Sequence, residues 1–187
     1  MNELKSIKVV FLGDSGVDKQ GIISQIAKHN SGPQQLIPFI GTSIPIIIEF
    51  PDLRKSIKLE IWNIAGQEKC KSFNKKFYQD ANIVIFVYDI TKRDTFESIK
   101  NYWYEIVKNN SNNNPILAVV ANKSDLYENS EVNDYEGEEF AYKIGAIFQA
   151  TSVSQNFGIS SLFNNIVRTY LIRRGRKLLS LNKYLNL

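Results

Sequence analysis

The segment Asn122-Lys123-Ser124-Asp125, set directly after the apolar run Pro115–Ala121, carries the most specific chemistry in this chain. A carboxylate at the mouth of a strand accepts from both the ring N–H and the exocyclic amine of guanine. Adenine cannot present that pair of donors. The Asn122 carboxamide can bond the base edge or tie neighbouring loops together, and the Lys123 stem can lie along the ring as an apolar and cationic platform. A polar turn after a buried strand also produces four such letters, so the surrounding segments decide between the two readings.

Those segments begin at the other end of the chain. Ser6–Gly13 reads as a buried strand, and Gly13-Asp14-Ser15-Gly16-Val17-Asp18-Lys19-Gln20 follows where a phosphate loop would open the helical segment Gly21–His29. In such a loop the backbone N–H groups of Gly13, Asp14, Ser15, Gly16 and Val17 surround phosphates, and Lys19 reaches the outer ones. The pattern G-x-x-x-x-G-K-S/T asks for a second glycine and a hydroxyl, whereas Asp18 and Gln20 stand there. By itself the loop fits an ordinary strand-to-helix turn equally well. A third element, Asn63-Ile64-Ala65-Gly66-Gln67-Glu68, follows the strand-like Ile57–Trp62. A fourth, Ala150-Thr151-Ser152-Val153-Ser154, follows the short run Gly145–Phe148, and Ser152 and Val153 there can close over a base. The four occur in the order required for one nucleotide site at the carboxyl ends of neighbouring strands.

Positioning these loops requires a sheet. Strands are expected near 6–12, 45–50, 57–62, 82–88, 116–121 and 146–149, and helices near 19–29, 68–79, 94–108, 134–144 and 158–174. Their alternation predicts a three-layer α/β fold whose right-handed crossovers bring the site loops to one edge. Gly137 interrupts the helical pattern of 134–144. At 187 residues with 43% hydrophobic content, the chain suffices for one domain with a substantial core. A single cysteine, Cys70, excludes an internal disulfide, and its place beside Gln67 and Glu68 favours a packing role. His29 reads as a surface or cap residue. The net charge of +4 is too mild for a nucleic-acid surface, so no nucleic-acid partner is expected. Asn109–Asn114 reads as a solvated, mobile low-complexity insertion.

The sequence resembles the Ras superfamily of small GTPases, and within it the Rab family. Trp62–Glu68 is similar to the family's W-D-T-A-G-Q-E, and Phe77–Ala81 and Val87–Thr91, followed by Phe96, Ile99 and Trp103, are similar to Y-Y-R-x-A, V-Y-D-I-T and the helix after them. The likeness spans roughly residues 6–172. It implies the small G-protein form of the P-loop NTPase fold, with one antiparallel edge strand in a six-stranded, mostly parallel sheet. Residues 1–175 would form the G domain and 176–187 a C-terminal tail. It also implies GTP/GDP as ligand, with Gly66 at the nucleotide and Gln67 orienting the attacking water, and effector and regulatory proteins as partners through the switch regions. Tyr78, Trp62 and Phe73 resemble the aromatic patch by which Rab proteins display nucleotide state.

Departures from the pattern fall on the metal. Where the resemblance implies a hydroxyl, a switch threonine and an aspartate around Mg²⁺, this chain has Gln20, Phe39 (with Thr42 nearby) and Asn63. Mg²⁺ binding is therefore not expected, and the metal ligands are left unassigned. Asp18 adds like-charge repulsion of roughly 4 kcal/mol against a phosphate at about 4 Å and an effective dielectric near 20, unless it turns to solvent or pairs with Lys19. Ser152-Val153-Ser154 replaces the family's S-A-K; the Val153 N–H can still meet the guanine carbonyl. The expected function is a Rab-like guanine-nucleotide-binding regulator of vesicle traffic with weak or absent hydrolysis. The alternatives are a pseudoGTPase serving as an interaction module and a P-loop kinase or ATPase, the last disfavoured by Asn122-Lys123-Ser124-Asp125. The start lacks an apolar signal core and no run reaches transmembrane length, so a cytoplasmic chain, at most peripheral on endomembranes, is expected. No cysteine follows Cys70 for prenylation, and Arg173–Leu179 would give only weak contact with an anionic leaflet.

Overall fold

Ile7–Leu12 (β1), Ile83–Asp89 (β4) and Ile116–Asn122 (β5) are almost unbroken apolar runs, the pattern of strands covered on both faces. The computed structural model describes residues 6–31, 43–64 and 78–185. Its sheet has six strands in the order β2-β3-β1-β4-β5-β6, where β2 is Ser43–Phe50, β3 is Lys55–Asn63 and β6 is Ile147–Thr151. β2 runs antiparallel to β3 and every other pairing is parallel. This is the expected three-layer α/β fold with its antiparallel edge. β2 alternates buried Ile46, Ile48 and Phe50 with outward residues, as an edge strand with one solvated face does.

Alternation along the strands divides the core in two. Val9, Phe11, Ile83, Ile85 and Val87 point to the face covered by α1 (Lys19–Ser31) and α5 (Ile159–Leu185), packing on Ile22, Ile26, Leu162 and Ile166. Val10, Leu12, Val84 and Phe86 point to the opposite face, beneath α2 (Arg93–Ser98), α3 (Tyr104–Asn110) and α4 (Asp134–Lys143). The chain leaves β1 toward β3 and then crosses to β4 on the other side. β1 is thus the switch point, and the loop after it lies where open α/β sheets hold ligands.

The helix expected over 94–108 is a composite. A π-helical segment, Ile99–Trp103, separates α2 from α3, and the extra residue per turn lets buried Trp103 reach back to the loop after β1. α5 continues to Leu185, well past the expected end at 174. The 68–79 helix lies outside the described residues except for a turn that begins at Tyr78. His29 is exposed in the last turn of α1, as expected.

Gly137, which weakened the sequence case for α4, sits inside a regular helix. Asn133 and Glu136 form a reciprocal capping box at its start, and Arg93 clamps Glu136 from α2 at 2.8 Å. The glycine is there for packing, since a Cβ would run into the Tyr88 hydroxyl and the Phe148 ring. Gly137→Val should therefore destabilise the protein by about 1–3 kcal/mol through overpacking. The measurement is the urea midpoint; an unchanged midpoint would show that α4 can slide off β5 and β6 at no cost.

Candidate functional site

Gly13 closes β1 with φ 142. A Cβ there would strike the carbonyl oxygen of Val87, so only glycine lets this loop pass so close to β4. Val17 is fully buried in the α1–α5 core, which pins the middle of the loop, while Ser15 and Gly16 are exposed at its crest. Asp14 is buried, and its Oδ1 accepts from the Trp103 indole at 2.7 Å. Its side chain thus anchors the loop to the π-helical segment.

Lys19 begins α1 and is only 6% exposed. Its ammonium donates to the carbonyls of Gly13 and Asp14 at 2.6 and 2.9 Å, so the loop curls around its own cation. Burial pushes the ammonium down to about 8, against the opposing attraction of the Asp14 carboxylate. The alternative of an Asp18–Lys19 pair is not what forms. Asp18 is exposed, holds φ 65, and accepts from the Gly21 N–H at 3.0 Å. The carboxylate caps the helix start with its own charge, satisfying one of the donors that a bound anion would use.

The base-side loops meet at Asn122, the last residue of β5. Its side chain is fully buried, donating to the Val17 carbonyl at 2.9 Å and accepting from the Thr151 hydroxyl at 2.9 Å. Of the two roles open to it from sequence, the structure shows the tie between loops. Lys123 holds φ 64, and its ammonium lies 2.6 Å from Asp89 Oδ2. Burial alone would raise the Asp89 carboxyl; the hydrogen bonds from Lys123 and Thr91 outweigh it and hold the group below the usual carboxylate range. Asp125 stands half-buried at the rim. The Ser152 hydroxyl, more than that of Ser154, keeps its carboxyl below the ordinary range, and Ser154 donates to Oδ2 at 2.8 Å. The Val153 carbonyl accepts from Gln25 of α1 at 3.1 Å, which fixes the loop's backbone beside the phosphate helix.

Two of the three altered metal positions turn out to be partners. Gln20 in the first turn of α1 accepts from Asn63 Nδ2 at the end of β3 at 2.7 Å. Asn63 Oδ1 is buried with no hydrogen-bond partner. Mg²⁺ takes hard oxygens in a near-ideal octahedron. One amide oxygen already engaged by an N–H and a second, neutral one do not supply that set. Among the described residues no group of three or more His, Cys, Asp or Glu could hold a metal. Of the three altered positions these two are described, and neither brings a charged or hydroxyl oxygen to the site.

Asp89, Trp103, Thr151, Ser154 and Gln25 support the site and were not singled out from sequence as site residues. Only Asp89 had a local signal, the Asp-x-Thr spacing in which Thr91 donates back to the carboxylate twice. Gly66, Gln67, Phe39, Thr42, Cys70 and Phe73 lie outside the described residues. Tyr78 is buried in the α2–α4 core, and the partly exposed Trp62 packs against that core under Lys8.

A sequence model of the Ras family matches residues 8–172. This chain belongs to the Ras family. Among its relatives, the Ras-related protein Rab-17 of Mus musculus is 34% identical over 169 residues, covering 90% of this chain and 77% of that protein. Ras-related protein RabC of Dictyostelium discoideum is 31% identical over 169 residues, covering 90% and 85%. These likenesses place the chain with the Rab-like small GTPases, and membership of the Ras family carries with it GTP or GDP as ligand. Among the described residues no helix is long and apolar enough to cross a membrane.

For this Ras-family site, phosphate would restore the charged form of Lys19. Above pH 8 the ligand-free lysine is mostly neutral and the ligand-bound one protonated, so binding takes up a proton and affinity falls as pH rises. Calorimetry with GDP at alkaline pH in buffers of different ionisation enthalpy should show that uptake, and Lys19→Met should abolish it. Equal heats in both buffers for the wild type would mean that phosphate leaves the lysine where it is.

Proposed function

We propose that this protein is a Rab-like guanine-nucleotide-binding regulator of intracellular vesicle traffic, binding GTP and GDP independently of Mg²⁺ and hydrolysing GTP weakly or not at all. The observation that carries this reading is the Gln20–Asn63 amide pair at 2.7 Å. Phosphoryl transfer in P-loop enzymes relies on a cation to neutralise charge developing between the phosphates. Two neutral amides, one donating to the other, provide none. Guanine selectivity rests on Asp125, held ionised by Ser152 and Ser154, and on the loop tie made by Asn122. The traffic role is drawn from the names of the Rab relatives. Effectors and regulators would bind through the switch regions.

A second reading, a nucleotide-independent interaction module, is favoured by one further feature. The phosphate-binding groups are already engaged from within, Lys19 by two carbonyls and the Gly21 N–H by Asp18. The two readings separate when protein is denatured and any released nucleotide identified, since only the first predicts GDP or GTP.

Asp125→Ala should cost roughly 1.5–3 kcal/mol of GDP affinity for each charge-assisted bond removed. Calorimetry with GDP and ADP decides this, and equal affinity of the wild type for the two would sink base recognition. EDTA should leave the GDP off-rate unchanged, and the pair Gln20→Ser with Asn63→Asp should introduce a dependence on Mg²⁺. Rapid loss of nucleotide from the wild type on chelation would contradict the metal-free reading. Asp18→Gly should tighten GDP binding, with Asp18→Asn separating charge from steric crowding; no gain from either would show that the capped carboxylate is clear of the phosphates.

A further inference from the structure

At the sheet edge opposite the nucleotide loops, a cavity of about 510 Å³ opens between the entry segments of β1, β4 and β5 and the later turns of α5. Its size lies within the range of small-molecule sites, ~300–1,000 Å³. Tyr170, Arg173 and Arg174 line one side, sharing a helix face by their i, i+3, i+4 spacing. Asn82, Asn113 and Asn114 line the other.

The chemistry of this lining is one-sided. It contains two guanidiniums and three carboxamides but no carboxylate. Two other arginines of the fold are neutralised: Arg168, on the same helix, pairs with Asp52 at 2.7 Å, and Arg93 pairs with Glu136 at 2.8 Å. Neither Arg173 nor Arg174 has an ion pair among the described residues. Two fork-shaped cations placed together without a counter-charge match a multiply charged oxyanion.

Asn82 and the first part of the low-complexity tract are held by hydrogen bonds. Asn82 Oδ1 accepts from the Lys8 N–H at 2.9 Å, which leaves its amide N–H₂ as the group available to a ligand. The low-complexity tract is tied back by Asn112 N to the Gln79 carbonyl at 3.1 Å and by Asn110 Nδ2 to the Ile106 carbonyl at 2.8 Å. Asn114 takes the left-handed conformation, φ 45, that asparagine tolerates better than most residues. The tract therefore does more than fill a solvated loop: its last two carboxamides form a wall of the cavity.

We propose that this cavity binds a phosphate monoester carried on a polyhydroxylated body, with Arg173 and Arg174 taking the dianion and the carboxamides of Asn82, Asn113 and Asn114 taking hydroxyls. A soluble sugar or polyol phosphate and a phosphorylated lipid headgroup share this chemistry. The full chain is titrated by calorimetry with myo-inositol monophosphate. In parallel it is floated with phosphatidylcholine vesicles bearing phosphatidylinositol monophosphate, or bearing phosphatidylserine at matched charge. Arg173→Gln with Arg174→Gln should abolish binding. Asn113→Leu, which leaves the charge untouched, should weaken it by about tenfold or more through lost hydrogen bonds. The thermal midpoint should stay within that of the wild type for both variants. Binding of the soluble probe alone assigns a soluble ligand, and binding that includes the phosphoinositide vesicles in preference to phosphatidylserine assigns a headgroup. Binding to neither probe overturns the proposal, as does vesicle binding that ignores headgroup identity and survives Asn113→Leu, which would reveal only a basic surface.

Discussion

The buried carboxamide of Asn122 is the interaction on which the site depends. It ends β5, yet it donates to the loop after β1 and accepts from Thr151 at the end of β6. Parallel strands pair only through backbone, which leaves the loops beyond their carboxyl ends free to drift. One fully buried side chain with a donor and an acceptor removes that freedom for three loops at once. Because it is sealed from water, losing either partner would leave an unsatisfied polar group, at roughly 1–3 kcal/mol.

Around this tie, each charged group of the site has been given an internal partner. Lys123 has Asp89, Lys19 has two carbonyls, Asp14 has Trp103, and Asp18 has the first turn of α1. A loop arranged in this way is stable without ligand. The cation inside it is also weakened by burial, so a nucleotide must displace short internal contacts to use it. Gln20 and Asn63 follow the same logic: two residues at positions that the family uses for an ion bond each other instead, joining α1 to β3 by a neutral link. The unmet Asn63 Oδ1 is the cost of placing an amide where a carboxylate and its cation would balance.

Much of the architecture was legible in the residues. The apolar runs, their spacing and the intervening helical segments identified all six strands to within a few positions: β1, β4 and β5, covered on both faces, are continuous apolar runs, while β2 and β3 alternate buried and outward residues. Element ends were less legible. Nothing local announces that α5 runs on to Leu185 or that a π-helical segment divides α2 from α3, since both depend on what the helix meets. Gly137 shows the same limit from the other side: by propensity it argued against a helix, and by packing against Tyr88 and Phe148 it is required in one.

For the site, the sequence by itself determined the residue types and their order: a glycine-rich loop with a lysine, a carboxylate after β5, and the absence of the usual metal-binding groups at two described positions. These are properties of single positions and short motifs, which depend on the chain alone. Only the tertiary structure decided how they are engaged. That Gln20 and Asn63, 43 residues apart, face each other, that Asp14 turns to Trp103 across 89 residues, and that Asn122 ties loops together instead of standing free were settled by strand register and helix packing. Hydrogen-bond partners distant in sequence leave no mark on local pattern, because a polar side chain looks the same whether its partner is solvent, ligand or another loop.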